Sequence, residues 1–476
     1  MKVGKVNVSE AIRNVEKMMQ DDASISPQVR MMLKLLIVII NMFMEKVGIN
    51  SRNSSTPPSR DLNRERGSKR KVKGEKRKPG GQNGHKGARL EREENPDKIE
   101  VLEIDRRTLP AGTYRAAGFE ARQIIDIEIS KVVTEYRAEV LEDEDGNRFV
   151  AAFPAGVKSD VQYGNSVKAH SVYLSQFQLL PYDRIRDYFA NQGGIPISAG
   201  SVFNFNKEAF DRLAEFEILI KRHLIKQKLL HADETGININ GKLLWLHCIC
   251  NDQFTLFFPH TDRGGEAMKA MGVLQHFRGI LCHDHWKPYF GFTCEHVLCN
   301  AHHLRELERA FEKEDQQWAL DMQNLLLEIN EATLKAGGCL KKGDAQAFRE
   351  RYRGILIQAD KECPLPAEPT GKKKRGRVAK SKSRNLLERL RTFEDQVLRF
   401  MTDPLVPFTN NQGENDIRMT KVQQKISGCF RSFEGAHIFS RVRSYLLTCQ
   451  KHDILPSQAL QLLFTAKLPD FIHKLE

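Results

Sequence analysis

Cysteine is missing from the first half of this 476-residue chain: all nine lie at or beyond Cys248. An odd count, with no secretory signal ahead of it, excludes a disulfide framework and points to a reducing cytoplasm. Long apolar runs are also lacking. Met31 to Met44 is interrupted by Lys34 and falls short of the ~20 residues that span a bilayer, so no membrane segment is expected. A convincing Ser or Tyr nucleophile motif is absent too, and chemistry without a covalent protein intermediate needs none. Acidic residues are the minority charge, 61 against 74 Lys and Arg, for a net charge of +13. That excess suggests a polyanionic partner, nucleic acid or a membrane surface.

The length exceeds the roughly 250–300 residues of a single core, so several domains are expected. Residues 1–50 read as two helices, the second starting near Pro27. Its apolar stripe runs through Met32, Leu35, Leu36, Ile39, Met42, Phe43 and Val47. That stripe is either a coiled-coil-like dimer seam or a face packed on its own chain. Residues 51–92 form a basic arm: between Arg60 and Arg92, thirteen Lys and Arg stand against four Asp and Glu. Lys69, Arg70, Lys71, Lys76, Arg77 and Lys78 are its densest cations and candidate DNA-phosphate contacts.

Residues 93–160 carry β-like runs, Gln123 to Ile129 and Lys131 to Tyr136, which suggest a small β module. Residues 161–226 turn helical: Val167 to Leu179, Tyr182 to Asn191, and a third helix capped by Ser198, with Gly193-Gly194 between the last two. This pattern suits a helix-turn-helix with the segment after Ser198 as recognition helix, and suits an ordinary helical hairpin equally. From 227 to 435 strands are expected at 228–233, 243–250, 254–258, 279–283 and 296–299, with a helix at 264–276. A helical insertion follows at about 308–405, then helices to the end, residues 436–476 forming the last segment. The fold class is therefore multidomain α/β, and the element order matches a ribonuclease-H-like core.

Three acids fall where such a core would use them. Asp233 and Asp284 each follow an apolar, strand-like run, and Glu414 begins a helix-like segment, Asn410-Asn-Gln-Gly-Glu-Asn-Asp-Ile-Arg418. Two strand-end carboxylates and one from a helix can hold a pair of Mg²⁺ ions against one phosphate. Acids at strand ends and helix starts are also common as caps. Arg418, Lys421 and Lys425 lie on or past the same helix. Arg418, four residues after Glu414, could clamp a DNA phosphate or pair with Glu414. His231 shares a strand face with Asp233, whereas His283 and His285 should point away from Asp284.

These motifs, taken in order, resemble the transposases of insertion-sequence family sixty-six. The resemblance rests on Asn53-Ser-Ser-Thr-Pro-Pro-Ser59, Pro79-Gly-Gly-Gln-Asn-Gly-His-Lys-Gly87, Arg122-Gln-Ile-Ile-Asp126, and His231-Ala-Asp-Glu-Thr-Gly236. It continues through Cys299-Asn-Ala-His-His-Leu-Arg-Glu-Leu307, Asn410-Asn411 and Lys425-Ile-Ser-Gly-Cys-Phe-Arg431. It implies a Mg²⁺-dependent DDE transposase (Mn²⁺ as substitute) with Asp233, Asp284 and Glu414 as catalytic and metal-binding triad. Its partners would be the element's terminal inverted repeats and target DNA, a second copy of the chain, and accessory proteins of the same element, in a bacterial cytoplasm. A catalytically decayed DNA-binding protein, or a nuclease without strand transfer, would share many of these features. Two departures stand out. Residues 98–160 hold no cysteine, so the Cys-based zinc module of many relatives is not expected there. Asn415 follows Glu414 where the family usually has Arg. Cys299 and His302 have metal-like spacing, but two ligands make no zinc site, and they are read as structural.

Overall fold

The computed structural model describes residues 2–3, 6–22, 24–46, 50, 53, 90–365 and 380–475. The basic-arm residues Lys69, Arg70, Lys71, Lys76, Arg77 and Lys78 lie outside the described residues. Helices α1 (Val8–Asp21) and α2 (Pro27–Lys46) occupy the N-terminal segment. The described part of the α2 stripe is exposed among the described residues, Met32 by 69% and Phe43 by 65%.

Residues 90–160 differ from the expected β module. The only pairing in this stretch joins Val140–Glu142 to Arg148–Val150. The runs 123–129 and 131–136 form no strand, and Ile124 (93% exposed) and Val132 (84%) face solvent. Strand propensity is realised only against a partner, and among the described residues no second apolar surface meets these side chains.

Five strands form one sheet: β1 (Leu229–Ile239), β2 (Lys242–Cys250), β3 (Thr255–His260), β4 (Ile280–His283) and β5 (Glu295–Leu298). Their spatial order is β3-β2-β1-β4-β5. The first three strands run antiparallel, and β4 and β5 run parallel to β1. β1 extends six residues past the expected end because Asn240-Gly241, both at positive φ (47° and 82°), turns it directly into β2. An Asn-Gly pair between apolar runs is the standard signal for such a hairpin. A tight entry brings β4 beside β1. A Cβ on Gly279 would sit 2.6 Å from the Lys228 carbonyl oxygen, so only glycine fits there. Helix α7 (Gly265–Ala270) is shorter than expected, since Gly272 at φ +81° ends the helical path.

The sheet is covered on both faces. One face, with Leu230, Ala232, Ile249 and Leu281, shares a core with α3 (Asn165–Val172), α4 (Tyr182–Gly193), α5 (Ala199–Arg212) and α6 (Ala214–Ile225). Helices α14 (Phe433–Lys451), α15 (Pro456–Phe464) and α16 (Asp470–His473) complete that core. The Ser198 hydroxyl caps α5 through the Ser201 N–H, as expected, and Gly194 in the left-handed region ends α4. Val202, Phe205 and Ala209 of α5 are buried in this core, so the candidate recognition helix spends one face on the core beneath the five-stranded sheet.

The opposite face is divided. Over β4 and β5, Ile280, Cys282 and Val297 pack against α8 (Asn300–Glu314), α9 (Gln317–Lys335), α10 (Lys342–Glu362), α11 (Lys382–Thr392) and α12 (Glu394–Leu398). Over β1 to β3, Ile237, Leu246 and Phe257 pack against Ile417 of α13 (Asn411–Ser427) and Phe439 of α14. The helical insertion and α13 therefore meet along β1 and β4, the two strands that carry the aspartates.

Candidate functional site

Asp233 lies mid-strand on β1, opposite Cys248 of β2, and its side chain points to the face covered by α13. Asp284 follows the last residue of β4, and its Oδ1 accepts the Trp286 N–H at 2.9 Å. Glu414 sits in the first turn of α13. Here a carboxylate is favoured by the helix dipole. The structure thus brings the three sequence-predicted acids into one cluster. Asp233 is held well above the ordinary carboxylate range, by burial first and then by the charges of Glu234, Glu414 and Asp284. Asp284 is pushed up to about 6, by burial first and then by Glu234. Carboxylates gathered at a cost in charge repulsion are a hard, oxygen-rich donor set, which fits Mg²⁺ or Mn²⁺.

Asn410 locks this arrangement. Its Nδ2 donates to the Ala232 carbonyl at 2.8 Å, its Oδ1 accepts from His231 Nδ1 at 2.7 Å, and its backbone N–H meets Cys299 Sγ at 3.1 Å. One buried amide therefore ties α13 to β1 and to the end of β5. Burial lowers the His231 pKa, so the ring is neutral and suited to this hydrogen bond rather than to proton transfer at neutral pH. Gly413 permits the close approach, because a Cβ there would lie 3.2 Å from Asn410 Nδ2 and 3.5 Å from Asp233 Cβ. Asn415 is exposed.

A second acid of the same helix is structural. Asp416 accepts from Lys451 Nζ of α14 and from the Thr255 hydroxyl, each at 2.6 Å, and the Asp416 and Lys451 side chains are 10% and 13% exposed. Lys451→Met is expected to destabilise the fold by about 3–5 kcal/mol, because it strands a buried carboxylate. Urea unfolding of the single variant against Asp416→Asn/Lys451→Met would show it, the double variant recovering most of the loss. Asp416 also lies within 4.8 Å of Cys248 and Cys250. Its carboxylate is already committed, and burial drives the Cys248 thiol far from ionisation, so this group does not fit a cation.

Cys299 and His302 also converge on Glu414: Oε1 is 3.9 Å from Cys299 Sγ and 3.8 Å from His302 Nδ1. Burial pushes the Cys299 thiol up to about 11 and His302 down to about 4. Both are neutral at pH 7, and the contact with Glu414 is not an ion pair there. The three ligand atoms lie within 4.8 Å of one another, one ligand short of a structural zinc site. His283 is buried against Tyr289, Phe290 and His296, and His285 packs on Phe393.

Among the expected DNA-contacting cations, Lys421 Nζ donates to the Gly236 carbonyl at 2.7 Å, which commits it to docking α13 on β1. Arg418 is exposed and makes no ion pair with Glu414, and Lys425 is exposed as well. Sequence reasoning missed Glu234, Tyr289 and Arg263. The Glu234 carboxylate is buried, accepts from the Tyr289 hydroxyl, and pairs with Arg263 at 2.7 Å. Arg263 lies 4.8 Å from the Trp245 ring and 4.1 Å from that of Trp286. The available signal was two of only three tryptophans placed near the acids.

Residues 160–438 match the family model described as "Transposase IS66 family". Residues 7–91 match one described as "Family of unknown function (DUF6444)". No curated protein matches the chain.

Proposed function

The chain belongs to the IS66 family of transposases, and from that premise we propose that Asp233, Asp284 and Glu414 are the catalytic acids of a DDE transposase. The observation that carries this reading is the convergence of three carboxylates, from β1, the end of β4 and α13, with the charges of Glu414 and Asp284 both adding to burial in raising the Asp233 pKa. The sheet order β3-β2-β1-β4-β5, with a late helix bringing the third acid, supports a ribonuclease-H-like core. A pair of divalent cations bound here would activate the attacking oxygen and stabilise the leaving oxygen of an in-line displacement.

The chain's own groups set that chemistry up. Asp233 and Asp284 offer oxygens from the rigid sheet, and Glu414 supplies one from a helix pinned by Asn410. Their summed negative charge keeps DNA phosphate away until cations neutralise it. Hydrolysis at an element end would free a 3′-hydroxyl, and the same site would direct that hydroxyl onto a phosphodiester of target DNA. The basic arm and the α4–α5 pair are proposed DNA contacts, the former through phosphates alone. The exposed apolar stripe of α2 suits self-association, which the joining of two element ends requires. Among the described residues no helix is long and apolar enough to cross a membrane.

The test is mobility of a marked mini-element, bounded by the repeats that flank the gene, with wild-type protein and with Asp233→Asn. Movement confined to the wild type is expected. Equal movement with both would remove Asp233 from the site. Repeat-specific binding with no movement by either, accessory proteins included, would identify a decayed transposase.

A further inference from the structure

Beside the three acids, on the other face of β1, stands a cluster that the proposed chemistry does not use. Glu234 Oε1 accepts two hydrogen bonds from one guanidinium, from Arg263 Nε at 3.1 Å and Nη2 at 2.7 Å. Arg263 Nη1 has no partner among the described residues. The guanidinium lies against Trp245 and Trp286, so its plane is set by aromatic contact as well as by the carboxylate. The burial is one-sided: the Glu234 side chain is 1% exposed, that of Arg263 38%.

Neutralising Glu234 alone would not call for this construction. The Tyr289 hydroxyl already satisfies Oε2, and a lysine could supply the charge. Two indole contacts and one carboxylate oxygen, gripped through both Nε and Nη2, instead hold a planar fork in a fixed direction, which suits recognition of an anion with directed oxygens. Location narrows the anion. Arg263 is one of two arginines, with Arg389 of α11, whose charge acts on Asp284. Trp286 in turn donates its backbone N–H to Asp284.

We propose that Arg263, held by Glu234, Trp245 and Trp286, is a phosphate clamp that binds DNA backbone next to the scissile bond. This rests on the reading of the acids as a DNA-cleaving site and adds a positioning contact to it. An ordered cation at this point would fix the register of the strand that enters the acid cluster. Its charge is only partly spent on Glu234, so a phosphate oxygen can complete the fork through Nη1.

The test is anisotropy of a labelled duplex carrying the element's terminal repeat, across a salt series, in Ca²⁺ to permit binding without cutting. Arg263→Gln is expected to weaken binding about tenfold and to flatten the log–log salt slope by about 1, as for one lost phosphate contact. Because Arg263→Gln leaves a buried acid alone, Glu234→Gln/Arg263→Gln is measured beside it and should show the same loss in a folded protein. Neutral methylphosphonate linkages, placed one at a time around the cleavage point, should weaken wild-type binding at one position and leave the double variant unaffected there. If a folded double variant gives a titration and salt slope that superimpose on wild type, Arg263 only neutralises Glu234 and the inference falls. Wild-type protein that neither binds nor cuts the duplex would overturn both the clamp and the transposase reading; binding by wild type with superimposed variants overturns the clamp alone.

Discussion

Asp233→Asn will abolish strand cleavage, retain DNA binding, and make the metal-free protein more stable. The first effect follows from removing a charged ligand from a site whose transition-state stabilisation is worth several kcal/mol. A loss of at least about a thousandfold in cleavage is expected, since each factor of ten corresponds to about 1.4 kcal/mol. The stability effect has the opposite sign and a different origin. The folded-state pKa of Asp233 is raised, by burial and by Glu234, Glu414 and Asp284, so ionising it costs more in the folded chain than in the unfolded one. That cost is absent at acid pH, grows as pH rises above the ordinary carboxylate value of 3.8, and is full only above the folded pKa. The neutral amide removes it. Thermal unfolding in EDTA should therefore show Asp233→Asn more stable than wild type at pH 8 and nearly equal to it at pH 4. A variant less stable than wild type at pH 8 would mean that Asp233 is a structural acid.

Addition of Mg²⁺ or Mn²⁺ will reverse that penalty in the wild type, and the reversal will be lost in acid. A cation can use Asp284 only after its proton has left, and that carboxyl is held at about 6 by burial and the neighbouring Glu234. The proton on Asp284 alone should make apparent cation affinity fall about tenfold per pH unit below pH 6, in addition to the proton on Asp233. Calorimetric or thermal-shift titrations at several pH values would measure this directly. Asp284→Asn should weaken binding at pH 8 and flatten its pH dependence between 5 and 7. Cation binding with the same midpoint at pH 5 and pH 8 would falsify the placement of Asp284 among the ligands. Preference for Zn²⁺ over Mg²⁺, lost in Cys299→Ser, would instead move the ligand set toward Cys299, His302 and Glu414.

Much of the five-stranded sheet and its surroundings was legible because its signals are local. Apolar runs marked the start of all five strands and the ends of four within two residues, and Ser198 announced the start of α5 through a capping hydroxyl. The three acids could be picked out by position, at the end of an apolar run or the start of a helix. The extension of β1 to Ile239 was also written locally, in Asn240-Gly241, and was overlooked. The expected strands between 123 and 136 failed for a different reason. Their β-branched residues carry a propensity, but a strand exists only when another segment pairs with it, and among the described residues none does so.

By itself the sequence determined the α/β alternation, the basic balance, the order of the acids and the family to which they point, since these depend on residue type and spacing along the chain. Tertiary structure decided the partnerships. It assigned Glu414 rather than Asp416 to the acid cluster, although the two sit two residues apart, because Lys451 and Thr255 claim the second. It made Asn410 the lock between helix and strand, committed Lys421 to a backbone carbonyl, and set Arg263 between two tryptophans beside a buried glutamate. Each of those contacts joins residues far apart in the chain, Asn410 to Ala232 across 178 positions. A carboxylate's role depends on which charges and donors surround it in space, and spacing along the chain does not carry that information.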